Sequence, residues 1–408
     1  MSRRYNQVPD RLVQPVILTL LHIFACSEKM KANYKFIISV VLGSFFLMAD
    51  AFYNGFPIVY SDTSTYIASG FEMETPFDRP ITYGIFIRIF SLNGLSLWGV
   101  IFFQGLILSY LILLLMKIIF KNLSFLKFGL FSIMILSLFS GVSWTVSQIM
   151  PDIFTSISLL CFIIILHSNS LDRKTILFLY ILFFISVAMH MSHVLFFVVL
   201  ILLMFVSGKF IFHRNIYFGW YSKLFTLLLL TVASLTTMGS AISKSKHVFF
   251  FGAMVEHGIV KTYLDDCCKF KSYKLCIYKD SLPDKAYKFI WDEKSPFYKI
   301  GGWKNTKQEF KDIIYETLTR PKYIALHIKE SFKATILQLF LFSIGDGNGS
   351  FLEGTLLYER ISKYFLKDLE IYSSSKQNQS SLSIVRYFNI LFYGVVFLEF
   401  IFYYCILH

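Results

Sequence analysis

Residues 60–88 read YSDTSTYIASGFEMETPFDRPITYGIFIR, from Tyr60 to Arg88. The stretch lies between two strongly apolar segments, yet it carries Asp62, Glu72, Glu74, Asp78, Arg79 and Arg88. It is too charged for a bilayer core, where ionisable groups are costly, and too aromatic for a bare linker. We read it as the first long loop of a polytopic membrane protein, held against the membrane surface.

Composition points the same way. Of the 408 residues, 55% are hydrophobic and 16% charged, with a mean hydropathy of +0.59; a soluble domain carries roughly 25% charged residues. In a soluble protein the net charge of +13 would suggest nucleic acid as a partner. Here the basic residues fall between apolar runs, where membrane orientation and lipid headgroups account for them. The expected partners therefore include membrane lipids and no nucleic acid.

The expected fold class is an all-α polytopic membrane bundle of about nine transmembrane helices. A small mixed extracytoplasmic cap is inserted before the last helices. The spans fall near Phe36–Tyr53, Leu95–Ile119, Phe125–Trp144 and Met150–His167. The run Thr175–Val206 is too long for one span and reads as two short ones meeting at His190-Met-Ser-His193. Further spans are expected near Leu224–Ile242 and Ile384–Leu407, with an apolar segment near Ile324–Ile344 whose crossing is open. The run Pro15–Cys26 is shorter than the ~20 residues a span needs and reads as an interfacial helix. The resulting divisions are 1–35, a cytoplasmic or interfacial N-terminus; 36–242, a bundle with a catalytic first loop at 54–94; 243–323, an extracytoplasmic loop domain; and 324–408, C-terminal membrane segments.

Short-loop Lys and Arg set the orientation. Lys117, Lys121 and Lys127, then Arg173 and Lys174, then Lys209, Arg214 and Lys223 form a cytoplasmic set with the basic N-terminus. Asp62, Asp78, Asp152, His190, His193 and the long polar loop then share the opposite face. The expected location is a bacterial inner (plasma) membrane with the site on its periplasmic, exoplasmic side. Cys267, Cys268 and Cys276 cluster in the long loop without zinc-type spacing. On an oxidising face, a disulfide from Cys276 to Cys267 or Cys268 is plausible.

Several residues on that face can carry chemistry. Asp62 can act as a general base or hold a cation; Ser61, Asp62 and Thr63 are equally good helix caps. Asp78-Arg79-Pro80 is a charged turn, followed by a segment, Ile81–Leu92, suited to an interfacial helix. Arg79 and Arg88 can grip a phosphate bidentately, or pair with Asp78 and snorkel to headgroups. Asp152 follows Pro151 at a helix start, where it suits the dipole. His190 and His193, three apart, can hydrogen-bond within the bundle or to a substrate, and could ligate metal. Tyr66 closes the segment Tyr60-Ser-Asp-Thr-Ser-Thr-Tyr66 around Asp62 and is a candidate for substrate binding. Trp291 and Trp303 with Gly301-Gly302 can form a platform over a sugar or the core of a small cap. Gly345-Asp-Gly-Asn-Gly349 lacks the later Glu of a calcium loop and reads as a turn.

With these residues in view, the chain resembles the GT-C class of membrane glycosyltransferases. The matching features are Asp62 in the first loop, the Asp78-Arg79-Pro80 turn with its interfacial segment, Asp152 at a span start, and an extracytoplasmic domain before the final spans. The layout is also similar to bacterial O-antigen-modifying glucosyltransferases. The clear paired-acid DxD form of some members is lacking. The resemblance implies a polyprenyl-phosphate-linked sugar as donor, a glycan acceptor, inverting transfer, and a carboxylate base among Asp62, Asp78 and Asp152. It implies phosphate or substrate binding by Arg79, Arg88, Tyr66, His190, His193, Trp291 and Trp303. A divalent cation, Mg or Mn, is open as a cofactor. The rival readings are a transporter or flippase of a lipid-linked glycan, and a membrane O-acyltransferase or glycan polymerase.

Overall fold

The computed structural model describes residues 34–120, 125–167, 171–210, 218–237, 241–341, 343–380, 382 and 384–407. The interfacial helix expected at Pro15–Cys26 lies outside them. Every regular element among the described residues is helical; the β-like contact is an isolated parallel bridge between Ile58 and Gln148. The chain divides into two compact units, Met1–Gly239 with Ser343–His408, and Ser240–Phe342.

The larger unit is built around the Trp98–Ile119 helix, whose Leu108, Leu111, Leu113 and Leu114 are buried. Small residues bring the Tyr34–Leu47 helix against it. A Cβ on Gly43 would lie 2.2 Å from Ser109 Oγ, and one on Gly105 2.7 Å from Ser44 Oγ. The Ser44 hydroxyl donates to the Phe102 carbonyl at 2.9 Å. Such contacts let apolar helices pack without large side chains between them.

Two helices, Trp98–Ile119 and Met191–Gly208, are long and apolar enough to cross a membrane; Tyr34–Leu47, Leu126–Phe139, Ile153–His167 and Phe388–Leu398 are shorter apolar helices. The expected count of nine spans is not met by helix length. The apolar runs are broken where local chemistry interrupts them. The first breaks at Met48 into Tyr34–Leu47 and Ala49–Asn54, and another at Ser140–Gly141 into Phe125–Phe139 and Val142–Ser147. A 15-residue helix such as Ile153–His167 rises about 22 Å, short of a hydrocarbon core of ~30 Å. The long run breaks at the expected place, into Arg173–Val187 and Met191–Phe210. The outward faces are apolar: Phe131, Leu177, Leu195, Leu203, Phe225 and Phe397 are all more than half exposed.

Residues 343–380, which lie in the division 324–408, are part of the larger unit. The Gln377 amide accepts from Val59 N at 3.1 Å and donates to Val59 O at 2.7 Å and Gly349 O at 3.1 Å. Its backbone N–H donates to Asn54 Oδ1 at 2.7 Å. Glu72 accepts from Arg360 at 2.6 Å and from the Tyr364 hydroxyl at 2.9 Å. Asp368 accepts from Leu97 N at 2.7 Å and Ser96 Oγ at 2.9 Å.

The smaller unit is helical rather than mixed among its described residues. Val248, Phe251, Met254, Val255 and Ile259 recur at helical spacing, directly after the polar run Ser243-Lys-Ser-Lys246. Helices Ala241–Glu256 and Lys307–Thr319 meet through Phe251 and Phe310, stacked at 3.7 Å. Phe289, Phe297 and Tyr263 complete a buried aromatic core. Cys268 and Cys276 form a disulfide, and Cys267 is a buried free thiol. The apolar segment expected near Ile324–Ile344 is the helix Pro321–Gln338 of this unit. Lys322, Lys329, Glu330 and Lys333 along it keep it from qualifying as an apolar span.

Candidate active site

The site begins with a close crossing of the two loop helices, Thr63–Glu72 and Thr82–Phe90. Gly70 and Gly84 permit it: a Cβ on Gly70 would lie 2.0 Å from the Gly84 carbonyl oxygen, and one on Gly84 2.2 Å from Ser69 Oγ. Tyr66 and Tyr83 then meet edge to face at 5.1 Å. The Tyr83 hydroxyl donates to Gln104 Oε1 at 2.7 Å, and the Gln104 amide donates to the Val146 and Gln148 carbonyls at 2.9 and 3.0 Å. The strand-like segment before the first helix is stitched to residues 147–149, with Ile58 N to Ser147 O at 2.8 Å and Ile149 N to Ile58 O at 2.9 Å. Thr63 Oγ1 donates to the Ile149 carbonyl at 3.1 Å. These bonds fix Asp62 relative to the turn that carries Asp152.

On this base sits a cluster of opposite charges. Arg79 Nη1 lies 3.1 Å from Asp62 Oδ2, and Arg79 Nε donates to Asp78 Oδ2 at 2.8 Å. The guanidinium lies over the Tyr66 ring, 4.9 Å from its centroid. Burial opposes charge on Arg79, but the Asp78 and Asp62 carboxylates outweigh it and hold the guanidinium above its ordinary value. The side chains of Arg79 and Asp78 are each 10% exposed, whereas that of Asp62 is 49% exposed. Asp78 is therefore committed to holding the arginine, and Asp62 keeps a carboxylate surface free for a ligand. Asp62 occupies the N-cap position of its helix but makes no side-chain cap hydrogen bond. The side chain pairs with Arg79 and makes none of the capping bonds that one sequence reading gave it.

Asp152 is exposed in the turn before the Ile153–His167 helix. Its charge acts on Tyr60, Tyr66 and His190. His190 Nδ1 accepts from the Ser192 backbone N–H at 3.3 Å, which leaves the proton of the neutral ring on Nε2. Burial lowers the His190 imidazole below its ordinary value, with Asp152 opposing, Arg79 adding to the depression and Asp62 opposing. His193 is buried. Its Nδ1 faces the Ser186 carbonyl at 2.9 Å and its Nε2 the Thr155 hydroxyl at 2.7 Å. A carbonyl only accepts, so Nδ1 carries the proton and the ring is fixed as a structural link. The two imidazoles lie 5.6 Å apart.

The structure thus brings together Asp62, Asp78, Arg79 and Tyr66, with Asp152 and His190 in electrostatic reach. Arg88 does not join them. It ends its helix, donating to Asn93 Oδ1 at 2.9 Å and Gly70 O at 3.4 Å and lying over Phe71. Trp291 and Trp303 belong to the smaller unit, where their rings are 5.7 Å apart. Trp303 also packs on Phe297 and Phe249, while Trp291 is 46% exposed.

Three residues of the site escape sequence reading. The Tyr60 hydroxyl accepts from Trp144 Nε1 and Gln148 Nε2, both at 3.3 Å. Asp346 acts on Tyr60 alongside Asp152, because the Gly345–Gly349 turn packs against it; a Cβ on Gly347 would lie 3.8 Å from the Tyr60 ring. Gln104 carried a usable signal, as an amide in an otherwise apolar helix. The donors present do not fit a Mg or Mn ion. Arg79 fills the space between the two carboxylates that a cation would bridge, and no group of three or more candidate ligands assembles among the described residues. No family model, curated protein or solved structure matches the chain.

Proposed function

We propose that the chain is a polytopic membrane glycosyltransferase. It moves a sugar from a polyprenyl-phosphate donor to an extracytoplasmic glycan acceptor, with inversion. The observation that carries this reading is the Asp62–Arg79–Asp78 cluster, in which a buried arginine holds a half-exposed carboxylate at the end of a loop helix. The acceptor hydroxyl gives its proton to Asp62 as its oxygen bonds to the anomeric carbon. The bond from that carbon to the phosphate oxygen breaks, and the electron pair leaves with the polyprenyl phosphate. Remaining N–H groups of Arg79 and the Nε2–H of His190 face the departing charge, as electrostatic stabilisation requires. No step uses a metal.

The membrane setting is part of the proposal. The exposed apolar faces of the larger unit exceed what water tolerates in a monomer and suit acyl chains, including a polyprenyl tail. The short helices cross in end-to-end pairs, such as Tyr34–Leu47 with Ala49–Asn54, and the site lies on the periplasmic face of a bacterial inner membrane. The test is incubation of the protein in lipid nanodiscs with a panel of polyprenyl-phosphate sugars, scoring released polyprenyl phosphate. Release with one donor supports transfer. No release with any donor, together with movement of a labelled lipid-linked saccharide across a liposome bilayer, refutes it in favour of a transporter.

A further inference from the structure

The smaller unit holds a buried histidine that its own fold leaves unserved. His247 is 5% exposed, and neither ring nitrogen has a hydrogen-bond partner among the described residues. A core histidine retained for packing normally has at least one such partner, because an unsatisfied buried polar group costs about 1–3 kcal/mol. Phe251, one helical turn on and on the same face, stacks on Phe310. That contact packs the Ala241–Glu256 helix, which carries His247, against Lys307–Thr319. Lys307 and Lys311 flank Phe310 on the latter helix, and Lys246 adjoins the histidine in sequence. All three lysines are exposed and make no ion pair among the described residues. Their charge acts on the ring: burial first, then Lys307, Lys311 and Lys246, hold the imidazole below its ordinary value. Of the nearby carboxylates on the same helix, Glu309 accepts from Lys274 N at 3.1 Å and Leu275 N at 2.9 Å, and Asp312 accepts from Gln308 Nε2 at 2.8 Å; neither forms an ion pair with these lysines among the described residues.

The geometry points to a phosphate-binding site made by Lys246, Lys307 and Lys311 around His247. Three ammonium groups and an imidazole match a phosphate's charge of roughly −1.5 to −2 and its several acceptor oxygens. The anion would offer His247 the acceptor it lacks and offset the repulsion among the lysines. The source is either a phospholipid headgroup or a phosphate freed from a phosphorylated substrate. This site does not depend on the transferase reading.

The test is calorimetric titration of inorganic pyrophosphate into the full-length protein, in nanodiscs of zwitterionic lipid and in nanodiscs containing anionic lipid. One-to-one binding is expected in zwitterionic lipid. Lys307→Ala with Lys311→Ala, and separately His247→Phe, should each weaken it by at least about tenfold. Lys294→Ala with Lys333→Ala should leave it unchanged. A circular-dichroism melt matched to the parent checks folding, and the lysine pair keeps the test open if His247→Phe unfolds. Suppression of binding by anionic lipid supports a headgroup occupant; undiminished binding supports a freed phosphate. Absence of binding in zwitterionic lipid overturns the site, as does equal weakening by the control pair.

Discussion

Gly70→Ala tests how far the site depends on a single close helix crossing. The added Cβ would sit 2.0 Å from the Gly84 carbonyl oxygen and 2.5 Å from its carbon, where ordinary contact begins near 3.4 Å. Backbone atoms cannot swing aside, so the two loop helices must part by about 1.4 Å, the difference between those distances. Overpacking of this kind costs about 1–3 kcal/mol. The same movement separates Tyr66 from Tyr83 and carries Asp62 away from Arg79, now at 3.1 Å. Misplacement of reacting groups by ~1 Å lowers rates by about 100-fold. Gly219→Ala is the matched control, because a Cβ there meets nothing within 4 Å; it should be neutral or slightly stabilising. The assay is the thermal midpoint of the purified variants in nanodiscs, paired with sugar transfer. Gly70→Ala should lower both and Gly219→Ala neither. A Gly70→Ala protein with unchanged midpoint and activity would refute the claim that the crossing positions the site.

Gln377→Ala should lower stability by about 2–5 kcal/mol, since it strands the Val59 N–H, the Val59 carbonyl and the Gly349 carbonyl in buried surroundings; chemical denaturation of the variant checks this. Burial raises the Glu72 carboxyl, but the Tyr364 hydroxyl, Arg360 and Lys363 together bring it below its ordinary value of 4.5. A depressed folded-state value gives stability that is present above pH 4.5 and lost as pH falls through the folded value. Glu72→Gln should therefore destabilise at pH 7, and the difference from the parent should shrink as pH falls below 4.5; a difference that stays constant as the pH falls would contradict the ion cluster. Closing the short loop between Cys268 and Cys276, which are eight residues apart, should add about 2.5 kcal/mol by chain entropy. Alkylation and mass analysis of the unreduced protein should find Cys267 modified only after unfolding, with Cys268 and Cys276 protected throughout.

The sequence revealed some parts of this molecule more clearly than others, for physical reasons. Helix placement was legible where apolar runs met strong interruptions: His190-Met-Ser-His193 breaks a run that needed breaking, and Pro80 precedes the helix Thr82–Phe90. Span number was not legible, because a hydropathy window slides over local breaks such as Met48 and Gly141 that cut a short helix off a longer one. The cap's helical character was hidden because Val248, Phe251 and Val255 follow the polar run Ser243-Lys-Ser-Lys246 and are interleaved with other apolar residues, Phe249, Phe250 and Met254, which blur the period. The charged turn at Asp78-Arg79 was readable as a pair. The choice between Asp62 and Asp78 was not, because it depends on which carboxylate the fold covers. The Gly345–Gly349 turn and Gln377 reach the site over some 300 residues of chain, and no local pattern announces such a contact.

The central claim is that Asp62 accepts the acceptor's proton while Asp78 holds Arg79. The most direct measurement is single-turnover transfer from the active polyprenyl-phosphate sugar by Asp62→Asn and Asp78→Asn proteins of parental thermal midpoint. The account predicts that Asp62→Asn abolishes the chemical step while still binding the donor, and that Asp78→Asn weakens donor binding through a loosened Arg79. Full-rate transfer by Asp62→Asn would contradict it.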